Sequence, residues 1–251
     1  IPMISNISTN PKVTKTGDYI FRACFTDEFQ GQVLAKFARN RLNAHSAVIF
    51  VDLKSNYSMG LSNEFEKNFK ESGGKILLKL TYKSGQVDFE KIVLQAIKEH
   101  NDIFFIPGHD ESGLIIKAIL KHNIKKPILG GDGWNNENFF NNGGNQLQEG
   151  YYCTHWVEDV KTQISQDFVK KYIKVTDKAA LAYDAVFILK HAIERAGSSD
   201  RAKIRDALAN TANFQGVTGE ISFNSDGDPI KSAVIIKIEN GKKKYLQTIN
   251  P

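Results

Sequence analysis

The sequence predicts an α/β fold in which the strands of a parallel sheet alternate with helices. Three observations carry that prediction. Apolar runs of strand length recur at 47–51, 76–80, 103–106 and 128–129, each followed by a segment of helical character; this alternation is the mark of βαβ units. The runs are nearly continuous in Val, Ile, Leu and Phe, as strands covered on both faces must be. The last of them ends in Gly130-Gly131-Asp132-Gly133-Trp134, and open α/β sheets bind ligands just beyond the carboxyl ends of their strands.

Residues 1–7 read as a strand running into a loop, because Asn6, Ser8, Thr9 and Asn10 cluster before Pro11. Residues 19–25 read as a strand. Asp27 then caps a helix with Val33, Leu34, Phe37 and Ala38 on one stripe. After the strand 47–51 comes a helix carrying Leu61, Phe65 and Phe69, stopped by Gly73-Gly74. Residues 76–80 form the next strand, and Asp88 caps a helix with Phe89, Ile92, Val93, Ala96 and Ile97 inward. The strand 103–106 leads to a helix over 114–120 and then to Ile128-Leu129.

Beyond Asp132 the alternation fades. Residues 151–153 read as a short strand, 165–173 as a polar helix and 179–196 as a long helix closed by Gly197. Ser198-Ser199-Asp200 starts another, with Ile204, Ala207 and Leu208 inward. Strands at 220–223 and 233–238 are expected to pair as a hairpin across 224–228, and the final strand pair turns at Asn240-Gly241. No further parallel strands remain for the amphipathic helices of 179–208 to cover. The expectation is therefore a sheet that this sequence does not contain.

Composition narrows the function classes. The 251 residues are 41% hydrophobic and 24% charged, as in ordinary globular chains of one or two domains. No apolar run approaches the roughly 18 residues that span a bilayer. Ile1-Pro2-Met3-Ile4 has no basic n-region, and a start other than Met reads as a processed or truncated product. The net charge is +5, but the lysines are scattered and only Lys242-Lys243-Lys244 forms a run, after a turn. That is a solvated hairpin tip, so nucleic acid is not expected as a partner. Cys24 and Cys153 are far apart and form no Cys-x-x-Cys motif; a metal site is not expected, and the two are either buried thiols or a pair.

Two roles fit Asp132: cap of a helix over 135–140, or acceptor for a cationic group such as an ammonium. The ends of three successive strands present Tyr57, His109 and Asp132 to one crevice, a set that suits a small zwitterion. No Gly-x-Gly-x-x-Gly or Walker loop is present, so a nucleotide cofactor has no support. Gly108-His109-Asp110-Glu111-Ser112-Gly113 lacks the Gly-x-Ser-x-Gly elbow; a hydrolase using Ser112 and His109 stands only as a rival reading.

Several stretches, in order, resemble the bacterial branched-chain amino-acid-binding proteins of ABC importers. They are Ile1-Pro2-Met3-Ile4-Ser5 through Thr9-Asn10-Pro11, Tyr19-Ile20-Phe21-Arg22 and Thr26-Asp27-Glu28-Phe29-Gln30-Gly31. Tyr57-Ser58-Met59-Gly60-Leu61, Gly130-Gly131-Asp132-Gly133-Trp134, Ala182-Tyr183-Asp184-Ala185 and Gly216-Val217-Thr218-Gly219 continue the likeness. The resemblance covers essentially the whole chain. It implies the type I periplasmic binding protein fold, two Rossmann-like lobes with parallel sheets, joined by three crossovers near 24–27, 154–158 and 226–232 and closing on the ligand. Lobe 1 would be 1–26 with 156–228, and lobe 2 would be 27–155 with 229–251. Lobe 1 would be incomplete, since the family carries an N-terminal stretch of roughly 100–120 residues, a typical domain's worth, that has no counterpart here. Cys24 and Cys153 would fall on neighbouring hinge strands, where a disulfide is one expectation.

By position, the resemblance makes Asp132 the acceptor for the α-ammonium and Tyr57 the aromatic reaching the ligand. Ile7 and Thr9 lie where backbone and hydroxyl groups meet the amino acid's head. His109 stands where relatives usually have Tyr, and Lys178 where some line the side-chain pocket with an aromatic. The implied function is capture of an amino acid outside the cytoplasmic membrane and delivery to a membrane permease, with no cofactor and no catalysis. The protein would be periplasmic or membrane-anchored. An amino-acid or amide sensor of the same fold is the nearer alternative.

Overall fold

The computed structural model describes residues 1–173 and 175–251. Its internal contacts divide the chain into two compact units. Ile1–Thr26, His155–Val234 and Thr248–Pro251 form the first, Asp27–Thr154 and Ile235–Gln247 the second. Pro229 to Val234 thus stay with the first unit, whereas the resemblance assigned 229–251 to the second lobe. The first unit opens with two short parallel strands, β1 (Met3–Ser5) and β2 (Ile20–Arg22).

The second unit begins with α1 (Asp27–Asn40), whose Val33, Leu34, Phe37 and Ala38 are buried as their spacing predicts. It continues through β3 (Ser46–Asp52), α2 (Asn56–Glu71), β4 (Lys75–Tyr82), α3 (Glu90–Ala96) and β5 (Ile103–Phe105). Then follow α4 (Glu111–Leu120), β6 (Ile128–Gly130), α5 (Glu137–Asn142) and β7 (Glu149–Thr154). Strands β4, β3, β5, β6 and β7 lie side by side in that order, all parallel. β7 therefore extends the parallel sheet past the point where the sequence pattern fades. β4 is the edge strand. Its side chains alternate between exposed and covered, so the two-sided burial expected of every strand holds only inside the sheet.

Aromatic residues fill the space between sheet and helices. Phe65 stacks on Phe105 with ring centroids 4.0 Å apart and on Phe69 at 5.3 Å, and all three are fully buried. Burying each such ring contributes about 1.5–3 kcal/mol. α1 lies against α2 at Gly31, where a Cβ would come within 2.6 Å of Glu64 Cβ.

The chain continues through α6 (Gln163–Lys171), α7 (Asp177–Ala196) and α8 (Arg201–Ala209). Thr176 and Asp200 cap α7 and α8 with their side chains, and Gly197 closes α7 in the left-handed conformation. β8 (Phe214–Gly216), β9 (Gly219–Phe223) and β10 (Pro229–Ile230) form a small sheet in which β9 is central and antiparallel to both neighbours. The hairpin across 224–228 thus pairs β9 with β10, not with 233–238 as the sequence suggested. The latter segment is β11 (Ala233–Glu239), which joins β7 in the large sheet beside β12 (Lys242–Ile249). Asn240 and Gly241, at φ 49° and 73°, make the two-residue turn between β11 and β12.

Helices α7 and α8 do find apolar partners within the chain. Ile188, Ala192 and Leu208 pack with Phe21 of β2 and with Ile221 and Phe223 of β9. Val186 and Ile193, on another side of α7, remain exposed. Cys24 and Cys153 are buried thiols, one of the two readings the sequence left open, and no disulfide joins them.

Candidate functional site

In the second unit the strand order places β4 on one side of β3 and β5, β6 and β7 on the other. The direction of winding therefore reverses between β3 and β5, and ligands bind at such switch points. Tyr57, on the first turn of α2 after β3, and His109, after β5, flank this point. Their rings stack at 4.8 Å with 23° between planes. Asp132 follows β6 in a short 3-10 turn over Asp132–Trp134. Tyr57 and Asp132 are half-buried, and His109 is exposed.

The carboxylate of Asp132 is held from two sides. Its Oδ1 accepts from the Tyr57 hydroxyl at 2.9 Å and from Gln30 Nε2 at 2.8 Å. The amide of Gly133 donates back to the Tyr57 oxygen at 3.1 Å. Burial first, then the charge of Asp132, pushes the Tyr57 phenol well above its ordinary value, so it remains a hydrogen-bond donor. The same two causes raise the Cys153 thiol, which is buried and unreactive.

Trp134 secures the turn. It is fully buried, donates from Nε1 to Ile106 O at 3.0 Å and stacks on Phe139 at 4.6 Å. The glycines around Asp132 serve space rather than conformation, since none has positive φ. A Cβ on Gly131 would lie 2.3 Å from both Gln30 Oε1 and Tyr57 Oη, and one on Gly133 would lie 2.8 Å from His109 Nδ1. Asp132 does not cap the following helix. Asn136 does, with Oδ1 accepting from the Phe139 amide at 2.9 Å.

Tyr57, His109 and Asp132 are thus brought together. Ile7, Thr9 and Lys178 belong to the first unit: Ile7 is partly exposed and Thr9 buried in the loop after β1, and Lys178 is exposed on the first turn of α7. Gln30 was missed as a site residue. It occupies the buried stripe of α1 with Val33, Leu34 and Phe37 and is itself fully buried. A polar residue on that apolar stripe was the available signal. Ser112 is buried with its hydroxyl on the Tyr82 side of Gly108, and no Ser112–His109 side-chain hydrogen bond occurs among the described residues. That arrangement is no nucleophile–base pair.

A family model described as periplasmic binding protein matches residues 1–243. The chain belongs to this family. It is 29% identical, over 98% of its length and 68% of the relative's, to Leu/Ile/Val-binding protein homolog 2 of Brucella abortus. Its structure is similar to the leucine-binding protein LivK of Thermotoga maritima, with TM-score 0.93 and 36% identity over all of this chain and 73% of that one. A second similar structure is the branched-chain amino acid transporter substrate-binding protein LivJ of Streptococcus pneumoniae in complex with isoleucine, with TM-score 0.89 and 31% identity over the same shares. The fold is the α/β type I periplasmic binding protein fold, and the family's members are solute-binding proteins. Among the described residues no helix is long and apolar enough to cross a membrane.

Proposed function

We propose that this protein is an extracytoplasmic solute-binding protein that captures an amino acid, branched-chain or similar, and delivers it to the permease of an ABC importer. The observation that carries the reading is the Asp132 carboxylate, held by Tyr57 and Gln30 at the switch point of the parallel sheet. A carboxylate in a half-buried setting pairs strongly with an ammonium through charge-assisted hydrogen bonds. Tyr57 orients that carboxylate and offers a ring to the ligand, and His109 walls the same edge. Ile7 and Thr9 contact the amino acid's head group, while Lys178 is a solvated charge. The ligands named for the similar proteins, leucine and isoleucine, support an aliphatic side chain. The protein has no catalytic role in this reading, and it works free or anchored outside the cytoplasmic membrane.

Thermal shifts of the full-length protein with each of the twenty L-amino acids test this, with Asp132→Ala as control. Ligand at a hundredfold over its Kd stabilises by roughly 2.7 kcal/mol, which is several degrees at about 2–4 °C per kcal/mol. Stabilisation by a few aliphatic amino acids, lost in the variant, is the expected result. No shift with any of them would sink the reading.

A further inference from the structure

The guanidinium of Arg22 on β2 is fully buried and engages one loop almost entirely through its carbonyls. Nη1 donates to Ser8 O at 2.7 Å and Asn10 O at 2.9 Å, while Nη2 donates to Thr14 Oγ1 at 2.9 Å and Pro11 O at 3.4 Å. Nε pairs with Asp228 Oδ1 at 2.6 Å, and the Thr14 hydroxyl closes the circuit by donating to the same oxygen at 2.9 Å. Thr14 and Asp228 are themselves buried. From Asn10 onward the loop has its own turn, with the Val13 amide donating to Asn10 O at 3.1 Å and the Lys12 amide to Asn10 Oδ1 at 3.0 Å, but its first part has little else to define it. Among the described residues Ile7, Ser8 and Thr9 make no backbone–backbone hydrogen bond, and besides its carbonyl's bond to Arg22, Ser8 is tied by its amide to Ser5 Oγ at 3.1 Å.

We infer that Arg22 is the positioning residue of the ligand site's loop: its fork, locked by Asp228 and Thr14, sets the path of Ser8 to Thr14 and so the placement of Thr9. This rests on the reading of Thr9 as a ligand contact. The physical ground is the number and spread of the acceptors. Three carbonyls and a hydroxyl surround one planar group whose five N–H donors point in fixed directions. A lysine at this place keeps the charge opposite Asp228, but its single ammonium cannot reach the same set. The Ser8 carbonyl would then lose its donor in a half-buried setting, and Asn10 and Pro11 would lose one of theirs, a cost that a changed loop path relieves.

The test compares Arg22→Lys, Thr9→Val and the double variant in the full-length protein, using L-leucine and L-isoleucine as probes. Arg22→Ala, which leaves Asp228 buried without its cation, is avoided because it threatens folding itself. Arg22→Lys should weaken binding by about tenfold, the size of one misplaced hydrogen-bonding contact. In the Thr9→Val background it should cost far less, because the two changes act through one contact. Equal costs in both backgrounds, or unchanged affinity in Arg22→Lys, would overturn the inference. Amide hydrogen exchange without ligand gives an independent reading: Arg22→Lys should speed exchange in Ser8 to Thr14 and leave the core of the other unit unchanged. Unaltered exchange there would also overturn it. If exchange rises as expected but the wild-type protein binds neither amino acid, the positioning role stands and the proposed function is what fails.

Discussion

The Tyr57 hydroxyl donates to Asp132 Oδ1 across 2.9 Å while its oxygen accepts from the Gly133 amide at 3.1 Å. One oxygen thus fixes both the carboxylate and the backbone that carries it. Tyr57→Phe removes a donor from Asp132 and leaves the Gly133 N–H without this partner. Such a loss costs about 1–3 kcal/mol, and denaturant unfolding should show a decrease of that size together with weaker amino-acid binding.

The raised phenol has a consequence for pH. Tyr57 holds its proton in the folded state beyond the point near pH 10 where an unfolded tyrosine loses it. Its contribution to stability is therefore complete below about pH 10 and declines above that. Any fall in amino-acid affinity as pH rises toward about 10 should come from the ligand's own ammonium and be the same in wild type and Tyr57→Phe, because Tyr57 keeps its proton past the point where an ordinary tyrosine would ionise. A fall in affinity that disappears in Tyr57→Phe would show that the hydroxyl titrates normally.

Gly131→Ala tests the role of space at the site. Its Cβ would sit 2.3 Å from Gln30 Oε1 and Tyr57 Oη and 2.6 Å from Leu61 Cδ2. Overpacking of this kind costs about 1–3 kcal/mol. The expected outcome is a lower unfolding midpoint with ligand affinity reduced further than by Tyr57→Phe, since Gln30 and Tyr57 are displaced at once. An alanine variant with wild-type affinity would show that the site yields easily.

Lys231 in the first unit is buried, donates to Thr218 Oγ1 at 2.6 Å, and neighbours Asp184, which accepts from that same hydroxyl at 2.7 Å. Burial pulls the lysine down to about 8, against the opposing pull of Asp184. Below about pH 8 both folded and unfolded states hold the proton; between about 8 and 10.4 only the unfolded state does. Stability therefore rises with pH through that window. Urea unfolding across the window should show the rise in wild type and its absence in Lys231→Met.

Asn136→Ala should cost about 1 kcal/mol, the usual loss for an N-cap, because Asn136 Oδ1 accepts from the Phe139 amide. Asp132→Asn should leave the protection of the α5 amides unchanged while reducing binding. Hydrogen exchange at Phe139 and Phe140 separates the two variants.

Much of the second unit was legible from spacing alone. Val33, Leu34 and Phe37, or Leu61, Phe65 and Phe69, declare a helix face by their intervals, and strand-length runs between them leave little choice but βαβ units. The same regularity exposed Tyr57, His109 and Asp132, because each directly follows a strand and parallel strands bring their carboxyl ends to one edge. Gln30 was hidden for the opposite reason. Its partner Asp132 is about a hundred residues away in sequence, and nothing local tells a buried amide that orients a carboxylate from one that merely caps a core.

The sequence by itself determined the alternation of strands and helices, the edge on which the chemistry gathers, and the family. These depend on periodicity and on short motifs, which act locally. Only the tertiary structure decided that β9 pairs with β10 while β11 joins the large sheet, that Asn136 rather than Asp132 caps α5, and that Arg22 gathers the carbonyls of the loop carrying Thr9. Each of these is a choice among partners of similar local merit. Pairing and hydrogen bonding over long sequence separations are settled by which arrangement leaves every buried polar group satisfied, and that condition is written in three dimensions.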